Sequence, residues 1–218
     1  MKFYNLHTHK FTNDPNTLEL VNQYPWEFDA SIPLYSIGIH PWYIKEERVE
    51  ADLKLIEEKL QLAECLALGE CGLDKRIEIP MQLQKTVFEK QIALAEKHQK
   101  PLVLHLVAAY DELLEINKRL GITVPVILHG FSKNEHLAKQ MLDAGFYLSF
   151  GKYLLRNPDL KQTFQAMPND RFFLETDTIE ETLSQVYDLA SVYKNMSVAA
   201  IQEQVGSNWE RVFKVLPQ

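Results

Sequence analysis

His7 and His9 stand two residues apart at the end of an apolar run, and on an extended backbone that spacing sends both imidazoles to the same side. They suit one shared cation. A second signal is Glu70, a lone carboxylate between Gly69 and Gly72 in the apolar stretch Ala67-Leu68-Gly69-Glu70-Cys71-Gly72-Leu73-Asp74. An isolated buried charge is costly, so Glu70 needs a cation beside it, and a carboxylate bridging two metals meets that need. Three further runs, Val103-Leu104-His105, Ile127-Leu128-His129 and Leu174-Glu175-Thr176-Asp177, each end an apolar segment in ionisable groups. Together His7, His9, Glu70, His105, His129 and Asp177 make a nitrogen and oxygen donor set of the kind that holds zinc, manganese, iron or magnesium. Six donors exceed one tetrahedral site. Two divalent ions about 3.5–4 Å apart, sharing a carboxylate and a water, would use them all. Water acidified in this way attacks phosphorus or a carbonyl, so the expected chemistry is metal-dependent hydrolysis.

These residues need elements to bring them together. Short apolar runs alternate with amphipathic stretches of ten or more residues, the pattern of βα units. Seven strands are expected at 2–6, 34–39, 65–68, 101–104, 125–128, 145–150 and 171–174. Helices are expected at 47–62, 81–99, 108–120, 133–144, 180–193 and 198–215. Such alternation predicts a parallel sheet, as a barrel or a doubly wound layer. Nearly every strand stays apolar until it ends in His, Glu or Asp, which favours a TIM-type (β/α) barrel of seven or eight parallel strands with its site at the carboxyl ends.

Composition narrows the class. A chain of 218 residues, 46% hydrophobic and 24% charged, is expected to form a single hydrolase domain over residues 1–218. No signal peptide or 18-residue apolar span is visible, so a cytoplasmic protein with no membrane contact is expected. Cys65 and Cys71 read as reduced thiols. The formal charge of −7 disfavours a broad grip on nucleic acid, and no protein partner is predicted.

Other residues carry two readings. His40 ends a strand before Pro41 and reads as a cleft contact or as a turn residue, and Asp74 as a metal or substrate contact or as a local cap. Cys71 should pack behind Glu70, since successive strand residues point oppositely. Glu175 is either a support for the ligands or the partner of a buried base. His98 and His136, in polar helical surroundings, are set aside.

His7-Thr8-His9, Gly38-Ile39-His40-Pro41, the Leu68 to Asp74 run, His129-Gly130-Phe131-Ser132 and Leu174-Glu175-Thr176-Asp177 resemble, in order, the motifs of the TatD family of metal-dependent hydrolases. Asn208-Trp209-Glu210-Arg211-Val212-Phe213 is similar to its terminal helix. The resemblance implies a distorted TIM-type barrel of the amidohydrolase superfamily, two divalent ions, and hydrolysis of phosphoesters, including deoxyribonuclease activity. It implies that His7, His9 and Asp177 hold one ion, that Glu70 bridges, that His105 and His129 hold the second, and that Asp177 takes a proton from the attacking water. Asn5 stands where the family usually has Asp, Val107 where it commonly has Arg, and the segment after Asp177 is shorter. The absence of that Arg, together with the charge of −7, points to DNA ends or small phosphoesters rather than long duplex. The three departures also motivate a metal-binding member with little catalysis as an alternative, beside amide or lactone hydrolysis within the superfamily.

Overall fold

The computed structural model describes residues 2–214. Val215, the last residue of the sixth expected helix, lies outside the described residues, as do the two ends of the expected 1–218 domain. Among the described residues, strands and helices alternate as β1 (Phe3–Thr8), β2 (Thr17–Gln23), β3 (Tyr35–Ile37), α1 (Val49–Leu60), β4 (Cys65–Asp74), α2 (Met81–His98), β5 (Leu102–Val107) and α3 (Tyr110–Leu120). They continue as β6 (Val126–Leu128), α4 (Glu135–Asp143), β7 (Tyr147–Phe150), α5 (Lys152–Arg156), α6 (Leu160–Ala166), β8 (Phe172–Leu174), α7 (Leu183–Lys194) and α8 (Val198–Phe213). The eight strands follow one another in chain order in one sheet. Thr8, at the end of β1, bridges in parallel to Asp177, just beyond β8. Eight parallel strands in this order make a TIM-type (β/α) barrel, as expected.

The chain divides into two compact units, residues 1–21 with 127–218, and residues 22–126. In the second, the core is β4, ten residues long and buried throughout. It runs past the expected 65–68, so Glu70 lies within a strand rather than at its last residue. Between Leu68↔Leu102 and Cys71↔Leu104 the pairing with β5 slips by one residue. Gly69 lies in this slip and Gly72 just after it, and a Cβ on Gly69 would lie 2.4 Å from the Val103 carbonyl oxygen and one on Gly72 2.1 Å from that of His105. Glycine is what lets β4 press this closely on β5.

In the first unit, α8 packs its buried Trp209 against Tyr4 of β1, ring centroids 5.6 Å apart. Tyr187 of α7 takes the Tyr4 N–H at 3.1 Å and donates to the Tyr4 carbonyl at 2.9 Å. Helix α7 begins at Leu183 rather than 180 because Thr182 caps it, accepting from the Gln185 N–H while the Gln185 side chain reaches back.

Three elements were not expected from sequence. The strand β2, Thr-Leu-Glu-Leu-Val-Asn-Gln, is too polar to read as one, yet Glu19 and Asn22 are buried. Glu19 accepts from the Thr12 N–H and hydroxyl at 2.9 and 3.0 Å, and the Asn22 amide oxygen accepts from the Glu70 N–H at 2.8 Å, so the acceptors of both side chains find donors inside the fold. Helices α5 and α6 are short, at five and seven residues, below the length at which periodicity reads clearly.

Candidate metal centre

Each unit carries its own histidine and carboxylate group. In the first, β1 delivers His7 and the residue after it delivers His9, whose Nε2 atoms lie 3.7 and 3.4 Å from Asp177 Oδ1. The His129 ring is 4.3 Å from that of His7, and His7, His129 and Asp177 offer donor atoms within 4.8 Å of one another. Asp177 holds its place with φ of 54°, in the left-handed region, while its N–H donates to the His7 carbonyl at 2.9 Å. Such backbone settings concentrate at functional sites.

Two neighbours position this group. Buried Glu175 accepts from the Gly130 N–H at 2.8 Å and lies 3.4 Å from His129 Nδ1, and so fixes the orientation of that ring. Asn5, 2% exposed, accepts from the Thr176 N–H at 3.0 Å and donates to the Thr176 hydroxyl at 2.8 Å. Both faces of its amide clamp the peptide that precedes Asp177.

In the second unit, Glu70, 3% exposed, has Oε1 3.1 Å from His40 Nε2 and 3.0 Å from His105 Nδ1. His40 Nδ1 accepts from the Trp42 N–H at 3.1 Å. A ring nitrogen that accepts carries no proton, so the proton sits on His40 Nε2 and is donated to Glu70. His40 therefore serves both readings, capping the turn Pro41–Tyr43 and orienting Glu70. His40, Glu70 and His105 offer donor atoms within 4.8 Å of one another.

Asp74 closes the second group from behind. Its Oδ2 lies 3.3 Å from His105 Nε2 and accepts from the Trp42 indole N–H at 2.7 Å, while Oδ1 accepts from the Arg76 N–H at 2.8 Å. Burial pushes the Asp74 carboxyl up, but the donors from Trp42, Arg76 and His105 outweigh it and hold it below its ordinary value. Cys71 is buried with its Sγ toward the Val103 carbonyl, and burial pushes its thiol well up. His98 lies 3.5 Å from Glu57, and His136 is exposed on α4.

Four positioning residues had no place among the expected site residues. Buried Gln84 and Gln91 of α2 clamp the ends of strands: Gln84 accepts from the Asp74 N–H at 2.8 Å and donates to the Asp74 carbonyl at 3.0 Å. Gln91 accepts from the Ile39 N–H at 2.7 Å and donates to the Ile39 carbonyl at 3.1 Å, immediately before His40. Their seven-residue spacing on the buried face of α2 was the available signal. Asn22 and Trp42 complete the set, and neither stands out in sequence.

The profile of the TatD related DNase family matches residues 4–214. An uncharacterized metal-dependent hydrolase of Bacillus subtilis strain 168 is 33% identical over 164 residues, 73% of this chain and 62% of that protein. Another from Haemophilus influenzae is 31% identical over 153 residues, 66% of this chain and 58% of its own length. The chain thus spans about three fifths of the length of these two relatives. Among solved structures, a TatD homologue of Escherichia coli K12 superposes with a TM-score of 0.83 at 19% identity, covering 98% of both chains. A TatD family hydrolase of Entamoeba histolytica gives 0.82 at 16% identity, again covering 98% of each. These two likenesses bear on the fold alone, whereas the profile spans nearly the whole described chain, and by that match the chain belongs to the TatD related DNase family.

Proposed function

We propose that this chain is a divalent-metal-dependent hydrolase that cleaves phosphoester bonds in small phosphoesters or at DNA ends. The observation that carries the reading is the pair of mostly buried groups, His7, His129 and Asp177 in one unit and His40, Glu70 and His105 in the other, each with donor atoms within 4.8 Å. Imidazole and carboxylate donors without thiolate fit zinc, manganese or iron, and magnesium through the carboxylates. His7, His9 and Asp177 would hold one ion together with His129, which stands beside His7 rather than serving the second ion as the resemblance implies, and Glu70 with His105 would hold the other. A bound divalent ion supplies Lewis acidity to the phosphoryl oxygen and makes water a better nucleophile near neutral pH.

The side chains have separable tasks. The Asp177 carboxylate is 25% exposed and lies beside two imidazoles, so it is placed to take a proton from incoming water. Glu175 turns His129 through Nδ1, Asp74 turns His105 through Nε2, and His40 orients Glu70 through Oε1. The charge of −7 and Val107, where a phosphate-binding cation would sit, support ends and small esters over long duplex.

The test pairs elemental analysis with a substrate panel. Protein reconstituted with zinc, manganese, magnesium or iron is assayed on bis-p-nitrophenyl phosphate, an oligonucleotide and a lactone. Asp177→Asn is expected to lower phosphoester turnover about 100-fold or more without changing the unfolding temperature. Glu70→Ala and His129→Ala are expected to lose bound metal. Lactone turnover alone, unchanged metal content in both variants, or near wild-type turnover in Asp177→Asn would overturn the reading.

A further inference from the structure

Large aromatic side chains are ordinarily covered, yet Trp42 is 52% exposed and Tyr43 42% exposed, side by side in the turn that follows His40. This exposure is not looseness. The Trp42 indole N–H is held by Asp74 at 2.7 Å, and the turn is capped by His40. An anchored N–H fixes the plane of the ring and leaves its face available. The indole also lies directly against the second group, its ring centre 5.7 Å from that of His105, a candidate metal ligand, and 5.2 Å from that of His40, which orients Glu70.

The surroundings extend the same surface. Tyr43 meets Tyr24 edge-on at 5.4 Å and Trp26 at 5.8 Å, and these two rings stack at 4.9 Å. The Arg48 guanidinium covers Trp26, 3.8 Å from its centre, and is paired with Asp52 at 2.6 Å. Trp26 is thus occupied, whereas Trp42 keeps about half of its area open. A rigid, open indole beside groups suited to a phosphoryl centre matches a substrate with a planar ring a short reach from its phosphate.

We propose that Trp42, flanked by Tyr43, is a stacking platform for the base of a nucleotide phosphoester, so that the preferred substrates carry a nucleobase next to the scissile bond. This rests on the phosphoester reading above. Every base has a π-face, so the platform selects base over no base and discriminates weakly among bases. Trp42 is here a specificity residue, and its link through Asp74 to His105 ties base seating to the orientation of a metal ligand.

Binding is measured by calorimetry in excess chelator, which halts turnover, with dAMP and with deoxyribose 5-phosphate. The wild-type chain should bind dAMP roughly 5- to 150-fold more tightly than the sugar phosphate, the range that stacking on an aromatic side chain provides. Trp42→Leu should abolish that ratio, and Trp42→Phe, which restores a flat ring without the N–H, should recover most of it. Circular dichroism checks that both variants fold. Equal affinities in the wild type, or an unchanged ratio in Trp42→Leu, would overturn the platform. The phosphoester reading fails separately: a Trp42-dependent preference for the base, with no phosphoester hydrolysed under any metal, would leave the platform and remove the reaction.

Discussion

Gly72→Ala tests whether the glycines beside Glu70 exist to set the approach of β4 to β5. The added methyl carbon would stand 2.1 Å from the His105 carbonyl oxygen. Carbon and carbonyl oxygen meet across neighbouring strands at roughly 3.3–3.6 Å, so the strands must part by about 1.2 Å or more. That displacement falls on His105, whose ring bridges Glu70 at 3.0 Å and Asp74 at 3.3 Å. Overpacking of this kind costs about 1–3 kcal/mol, and a side chain held at φ of 139° adds on the order of 1–3 kcal/mol. The expected loss is about 2–6 kcal/mol, a large share of the roughly 5–15 kcal/mol that holds a domain folded. Gly121→Ala is the control. Its φ is 63° but nothing lies within 4 Å of a Cβ there, so only the backbone cost of about 1–2 kcal/mol applies. Urea unfolding followed by circular dichroism measures both variants, and metal content by elemental analysis reports on His105. If Gly72→Ala costs no more than Gly121→Ala and keeps its metal, close strand approach is not the reason for glycine at this position.

Asn22→Ala leaves the Glu70 N–H buried without its acceptor and should destabilise by about 1–3 kcal/mol. An unfolding midpoint in urea equal to that of the wild type would contradict this. Lys194 offers a pH test. Burial over Phe164 and Phe172 lowers its ammonium from 10.5 to about 8. The folded value lies below the unfolded one, so the unfolded chain binds the proton more readily between these limits. The site's stability is therefore full above 10.5 and is lost as pH falls to about 8. Relative to Lys194→Met, the wild type should gain about 1–3 kcal/mol on going from pH 7.5 to pH 10, read by urea unfolding at each pH. A gap that does not change with pH would refute the account.

Much of this protein was legible before any coordinates. The βα alternation, the parallel sheet and the barrel follow from local patterns, an apolar run of strand length and then an amphipathic stretch. Those patterns depend only on near neighbours along the chain. The resemblance to the TatD family rests on short ordered motifs and is matched by the profile over residues 4–214. His7 and His9 beside Asp177, and Glu70 beside His105, stood out in the sequence as ionisable residues set in apolar runs, although Glu70 and His105 lie within β4 and β5 rather than at their ends.

What only the tertiary structure decided is where each buried polar group finds its partner. Asn22 and Glu70 are 48 residues apart, Gln91 and Ile39 are 52 apart, and Trp42 and Asp74 are 32 apart. Nothing local tells a strand-forming Asn or a helical Gln which backbone group it will meet, so β2 was not among the expected strands and Gln84 and Gln91 were not among the expected site residues. The two readings of His40 became one arrangement only when its Nδ1 met Trp42 and its Nε2 met Glu70. Residue types at strand ends are written in the sequence because hydrophobic periodicity is a local property. The satisfaction of buried donors and acceptors is not, because it depends on chain segments that only folding brings within hydrogen-bonding distance.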